Sequence, residues 1–171
     1  MDAVEVVRKA VDAGHRWYSG TVADVTAEQA SYKPEGVAHS IAALAAHTVQ
    51  AEDWVVNQLL QGQPMLWDRT AGGQKLGIAN VWNLGADQAA SRSISYDPKV
   101  LQPYTEAVFA NTQRYLGSLS AADLDRTIEL KQLGSQTVAD LLMFLMIDNT
   151  LAHTGEISAI KGIQGAKGYP F

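Results

Sequence analysis

Apolar residues recur along this chain at helical spacing and mark out four long segments. In the first, roughly Asp2 to Asp24, Val4, Val7, Val11, Gly14, Tyr18 and Val25 keep a three-to-four-residue spacing, the pattern of one buried stripe, with His15 and Val22 on its flank. The second opens after Ser40, a favourable N-cap, carries Ile41, Leu44, Thr48, Ala51, Val55 and Leu59 on its apolar face, and stops at Gly62–Pro64. The third begins after Asp97–Pro98 and runs to about Leu116, with Leu101, Tyr104, Val108, Asn111, Thr112 and Tyr115 at helical spacing. The fourth opens at Gly134–Ser135 and closes at Gly162, Gly165 and Gly168. Thr26 followed by Glu28 and Gln29 can cap a short helical turn, and Arg126 to Lys131 reads as a short extended piece. Four amphipathic segments without a convincing strand predict an all-α four-helix bundle, one domain over residues 1–171. Short links join helices 1 and 2 and helices 3 and 4. The long 62–96 connection permits a crossover, and a connection of that length is usually functional or disordered. Trp67 and Trp82 argue against plain disorder, and a short helix is expected near Ala86–Ser91.

The fourth helix carries an anomaly. At 100° per residue, Val138, Leu142, Leu145, Asn149, His153, Glu156, Ile160 and Ile163 fall within an arc of about 80°. That stripe is aimed at a core, yet its middle is polar. Burying each such group without a partner costs on the order of 1–3 kcal/mol. A metal ion, an internal hydrogen-bond network or a bound polar ligand would satisfy them. His47, beside the apolar face of the second helix, sits ~10 Å from that helix's start, and His153 ~13 Å from the fourth helix's end. Antiparallel packing puts both rings in one layer. Asn149 and His153 are an i, i+4 pair, the spacing that sets two ligands on one face. His47, Asn149 and His153 are therefore the candidate metal ligands, and Glu156 the candidate general base or outer partner. Trp67 and Trp82 are the candidate lid of the same pocket. The remaining polar and aromatic residues read more plainly. His15 lies on a helix flank that could reach the layer, His39 in a solvated loop, and Glu52 and Asp53 on a solvated helix surface. Trp17 and Trp54 read as packing residues, and Gly155 as a point of close helix approach.

Composition narrows the class of function. The chain has 171 residues, 47% hydrophobic and 18% charged, enough to bury a sizeable core. It has no cysteine, so thiolate ligands and a cysteine nucleophile are excluded, and any sulfur nucleophile must arrive on a cosubstrate. A net charge of −5 without a basic cluster gives nucleic-acid binding no electrostatic support. No apolar run reaches the ~20 residues that span a bilayer, and MDAVEVVRKAVD lacks the apolar core of a signal peptide. A cytoplasmic protein with a small-molecule substrate, neither nucleic acid nor membrane as partner, is the expectation.

Three stretches resemble the DinB-like family of four-helix proteins: DVTAEQASYKPEGVAHSIAALAAHTVQAEDW, the G-x-P-x-x-W of residues 62–67, and LAHTGEISAIKGIQGAKGYPF with its H-x-G-[QE]-I motif at His153 to Ile157. The resemblance covers nearly the whole chain. It implies an up-down-down-up bundle with a crossover between helices 2 and 3, and a three-histidine site, often zinc or nickel, at one end. His47 matches the first of those ligands and His153 the third. The second, four residues before His153, is Asn149 here, and an amide oxygen is a weaker ligand for such metals than imidazole. The family further implies a homodimer and a transferase or isomerase using a low-molecular-weight thiol, with hydrolysis next. A metal-free binding module built on the same residues is the alternative.

Overall fold

The computed structural model describes residues 2–69, 76–78, 80–81, 83, 89, 92, 94–131 and 133–171. Helix α1 spans Ala3–Val22, its first turn closed by the Asp2 side chain on the Glu5 amide. The turn α2, Ala27–Ser31, has the expected Thr26–Gln29 capping box. Helix α3, Ile41–Asp53, is N-capped by Ser40 and continues as a π-helical stretch, Trp54–Leu60. Past the break lies the short α4, Leu66–Arg69. A 3-10 turn at Pro98–Leu101 leads into α5, Gln102–Ser118, and α6, Ala121–Leu124, follows. The extended piece is the first strand of a hairpin: β1, Thr127–Leu130, pairs antiparallel with β2, Gly134–Thr137. The last helix therefore opens at Thr137 rather than at Gly134, with a Thr137–Asp140 capping box. It runs as α7, Val138–Leu141, a π segment, Leu142–Asp148, and α8, Asn149–Ile163.

Cross-helix bonds fix the directions. His15 meets Glu52 and Tyr18 donates to the Ala45 carbonyl, so α1 and α3 are antiparallel. Tyr104 pairs with Asp53 and Asn111 with Asn57, so α3 and α5 run parallel, as a long crossover requires. The ideal Cβ of Gly14 faces Thr150, and Lys161 donates to the Thr21 carbonyl, which makes α1 and α8 parallel as well. The result is an up-down-down-up bundle.

Two expectations about helix faces are corrected. Every residue of α3 from Ile41 to Asp53 is buried, including Glu52 and Asp53, which the sequence placed on a solvated surface. On the last helix Val138 and Leu142 are buried as expected, but beyond them the buried face is Met146, Thr150, Thr154, Ile157 and Lys161, one residue ahead of the predicted stripe, with Ile160 of that stripe buried beside them. The cause is the π segment: its wider turn holds an extra residue, so a 100° count carried across it slips by one position. Ile163, predicted on the stripe, is 66% exposed. Asn149, His153 and Glu156 are displaced from the core to its edge.

The apolar core divides in two. One cluster gathers Tyr18, Ile41, Leu44, Leu101, Tyr104 and Ile157, and the other Val7, Val55, Leu116, Val138, Leu142 and Met146. Between them lies a polar layer. Glu52 accepts His15 Nε2 at 3.0 Å and Thr112 Oγ1 at 2.5 Å, with the His15 ring stacked 3.6 Å from Phe109. Asp53 accepts from Asn57 Nδ2, the Leu66 and Trp67 amides, and Tyr104 OH, at 2.6–2.9 Å. His15 is thus a buried partner of Glu52 rather than a flank residue or a member of the His47 layer. The chain ends against α1: Tyr169 and Phe171 pack on Trp17 at 5.6 and 5.3 Å, and Tyr169 takes the space that Gly155 leaves.

Candidate functional site

His47 is buried on α3, two turns past its Ser40 cap, and faces the seam with α8. Its Nδ1 lies 2.8 Å from the Val81 carbonyl. A carbonyl only accepts, so Nδ1 carries the proton and Nε2 holds the lone pair. Asn149 Nδ2 donates to that Nε2 at 3.3 Å. Burial pushes the imidazolium down to about pH 4; the Val81 bond opposes the shift, and His153 nearby adds to it.

His153 stands edge-on to His47, ring centres 4.8 Å apart at 86°. It lies one turn beyond Asn149 on α8, and its side chain is 19% exposed. Its Nδ1 is 2.6 Å from Glu156 Oε2. Glu156 sits at the mouth of the seam with its side chain 56% exposed, and the bond to His153 holds its carboxyl below the usual carboxylate range. Each ring is thus anchored at Nδ1, one by a carbonyl and one by a carboxylate. That anchoring fixes both orientation and tautomer.

The expectation for His39 is corrected. It is half-buried immediately before the α3 cap, and its Nδ1 is enclosed with no hydrogen-bond partner. Burial lowers its pKa, Glu156 raises it, and Arg92 and His153 lower it further, so it shares one electrostatic field with the two site histidines. The sequence signal was its place one residue before a buried helix start, where a side chain is carried inward with the cap.

The crossover does reach this end of the bundle. Val81 bonds His47 through its carbonyl and the Gln50 side chain through its amide. Trp82 lies outside the described residues. Trp67 is placed with Tyr104, ring centres 5.2 Å apart, and bonds Asp53 through its amide; it is a buried packing residue there. A cavity of about 350 Å³ lies elsewhere, between α1 and the start of α5, lined by Tyr18, Leu101 and Thr105, and contains none of the predicted site residues.

The donor set for an ion is two imidazoles and one amide. Among the described residues no group of three or more His, Cys, Asp or Glu side chains is placed to hold a metal. The one lone pair of His47 is already engaged by Asn149. As they stand, these residues do not fit a zinc or nickel centre. What they provide is a histidine with a carboxylate partner, set beside the buried His47 and an amide. No helix among the described residues is long and apolar enough to cross a membrane.

A family model described as the DinB superfamily matches residues 10–157. A crystal structure of a conserved protein from Enterococcus faecalis has the same fold, with a TM-score of 0.82 at 20% identity, covering 96% of this chain and 99% of that one. No curated protein matches the chain.

Proposed function

Because this chain belongs to the DinB superfamily, we propose that it is an enzyme for a small polar substrate, with His153 as general base and a thiol cosubstrate as the first candidate nucleophile. The observation that carries this reading is the 2.6 Å pairing of His153 Nδ1 with Glu156. A carboxylate on Nδ1 fixes the tautomer with its lone pair on Nε2 and stabilises the imidazolium that forms when Nε2 takes a proton. Thiol transfer then begins with S–H giving its proton to Nε2, leaving a thiolate to attack the electrophile. Water in the same place would give hydrolysis, the runner-up. General-base assistance of this kind contributes about 10²–10⁴ in rate. His47 and Asn149 would orient the substrate beside the base.

The chain has no cysteine, so any thiol chemistry observed comes from an added thiol. The test is the rate of a small thiol such as cysteamine with a chromogenic electrophile, with and without protein. We expect a saturable acceleration, reduced at least about tenfold in His153→Ala. Equal rates with and without protein across a panel of thiols and electrophiles would sink the enzyme reading. A second reading, a binding module without turnover, is favoured by the bond from Asn149 to His47 Nε2, which closes one lone pair. Saturable binding without acceleration would select it.

A further inference from the structure

The cavity between α1 and the start of α5 has no part in the reaction proposed above, and its lining defines what it can hold. Its floor is Tyr18, Ala45, Pro98, Leu101 and Thr105, all buried. Both hydroxyl protons of that floor are already given away, Tyr18 to the Ala45 carbonyl at 3.0 Å and Thr105 to the Leu101 carbonyl at 3.1 Å. Burial raises the Tyr18 phenol above its ordinary range, so it stays neutral. Among the described residues, no side chain that lines the cavity holds a buried polar atom without a partner. The floor is therefore uncharged and has no unmet polar group. A charged head pushed into it would lose its water and meet no counter-charge. The mouth differs: the exposed Ser19, Lys99, Gln102 and Glu106 surround it, and Glu106 accepts from Gln102 at 2.9 Å. Lys99 and Glu106 are opposite in sign, so the pair favours neither an anion nor a cation. At about 350 Å³ the cavity is more than twice the ~150 Å³ apolar cavity that takes benzene, which gives room for a substituted ring or two fused rings. It is also separate from the histidine seam. Ala45 and His47 lie two residues apart on α3, about 200° around the helix, and so face opposite sides of it.

We propose that this cavity is a second binding site, for a small uncharged ring compound whose apolar body rests against Tyr18, Ala45 and Leu101 and whose polar group stays at the mouth by Ser19 and Gln102. The inference stands apart from the chemistry of the seam, and either can fail without the other.

The test is NMR of the whole protein at about pH 7, following the Val22, Ala45 and Leu101 methyls at the cavity and the His47 and His153 rings at the seam. The probes are indole, benzyl alcohol, benzylamine and benzoate, of which the last three share a ring and differ in the charge of the head. We expect indole and benzyl alcohol to shift the cavity methyls saturably, indole with a Kd below about 1 mM, and both charged probes to bind at least about tenfold more weakly than benzyl alcohol. Ala45→Leu fills the cavity from its floor, and Ala23→Trp covers it from an exposed position at the mouth, where folding is not at stake. Each should weaken indole by at least about tenfold; if Ala45→Leu does not fold, Ala23→Trp decides. The inference is overturned by the absence of any saturable shift of the cavity methyls up to the solubility of indole. It is equally overturned by a charged probe that binds as tightly as benzyl alcohol, by shifts confined to the seam rings, or by indole affinity kept in either variant when folded.

Discussion

Asn149 decides what kind of site this is. Its Nδ2 stands 3.3 Å from His47 Nε2, where an imidazole would instead supply a third lone pair. We expect Asn149→His to bind zinc or nickel about 10–100-fold more tightly than the parent by calorimetric titration, with the gain abolished in a His47→Ala background. Metal binding requires neutral ligands, so the gain should grow from about pH 5 to 7.5. His47 itself is already neutral above about pH 4, so its own titration does not contribute to that growth. Unchanged affinity in a folded Asn149→His protein would count against a shared centre. The depressed His47 pKa also acts on stability. An unfolded histidine titrates near 6.5 and the folded ring at about 4, so between those values the unfolded chain holds the extra proton. The contribution of His47 is therefore complete above about pH 6.5 and lost as pH falls through 4, amounting to about 2–3 kcal/mol. Urea unfolding at several pH values should show that acid limb, and His47→Gln should flatten it; an unchanged limb would place its origin elsewhere.

At the scale of elements, Asp53 ties the beginning of the crossover to the bundle. It caps the Leu66 and Trp67 amides of α4 while accepting from Tyr104 and Asn57. Asp53→Ala strands all four donors, and a loss of about 3–5 kcal/mol in urea unfolding is expected, together with new protease cutting between residues 62 and 69. A protein that loses stability but resists cutting there would show that α4 is held by packing alone. The four helices, the caps at Thr26 and Ser40, and the break at Gly62–Pro64 were legible because each rests on local spacing or a local capping bond. So were His47, Asn149 and His153 as neighbours, since the antiparallel level argument depends only on the rise per residue. The burial of Glu52 and Asp53 was not legible, because their partners His15, Thr112, Tyr104 and the α4 amides are 13 to 60 residues away. Nor was the exact face of the last helix, because nothing local in LMFLMID announces a π turn. That turn can be tested directly. Deleting exposed Met143 should return the helix to regular winding with Thr150 and Thr154 still on the core face, because the deletion removes the one extra residue, and should cost less than about 1 kcal/mol. A deletion variant that loses several kcal/mol, or that turns Asn149 and His153 into the core, would show that the π turn is not the source of the slip.

For the molecule as a whole, the parallel pairings of α1 with α8 and α3 with α5 follow from one long crossover, and that crossover also delivers Val81 to His47. The site end of the bundle is thus finished by chain that has travelled the length of the molecule and back, whereas the hairpin end is finished by neighbours in sequence. The polar layer at Glu52 and Asp53 lies between these ends. Each helix crosses it, but each apolar cluster closes on its own side. Cooperative unfolding units follow boundaries of this kind, where contacts across are fewer and more polar than contacts within. Native-state hydrogen exchange should accordingly resolve two tiers of opening. Amides of the cluster around Val55, Leu116 and Met146 should exchange only by global unfolding, and those around His47, Ile78 and Ile157 at a smaller free energy. A single tier throughout would mean that the polar layer welds the halves together. With two tiers, the end that holds the histidines can breathe open to admit a molecule while the other keeps the chain folded.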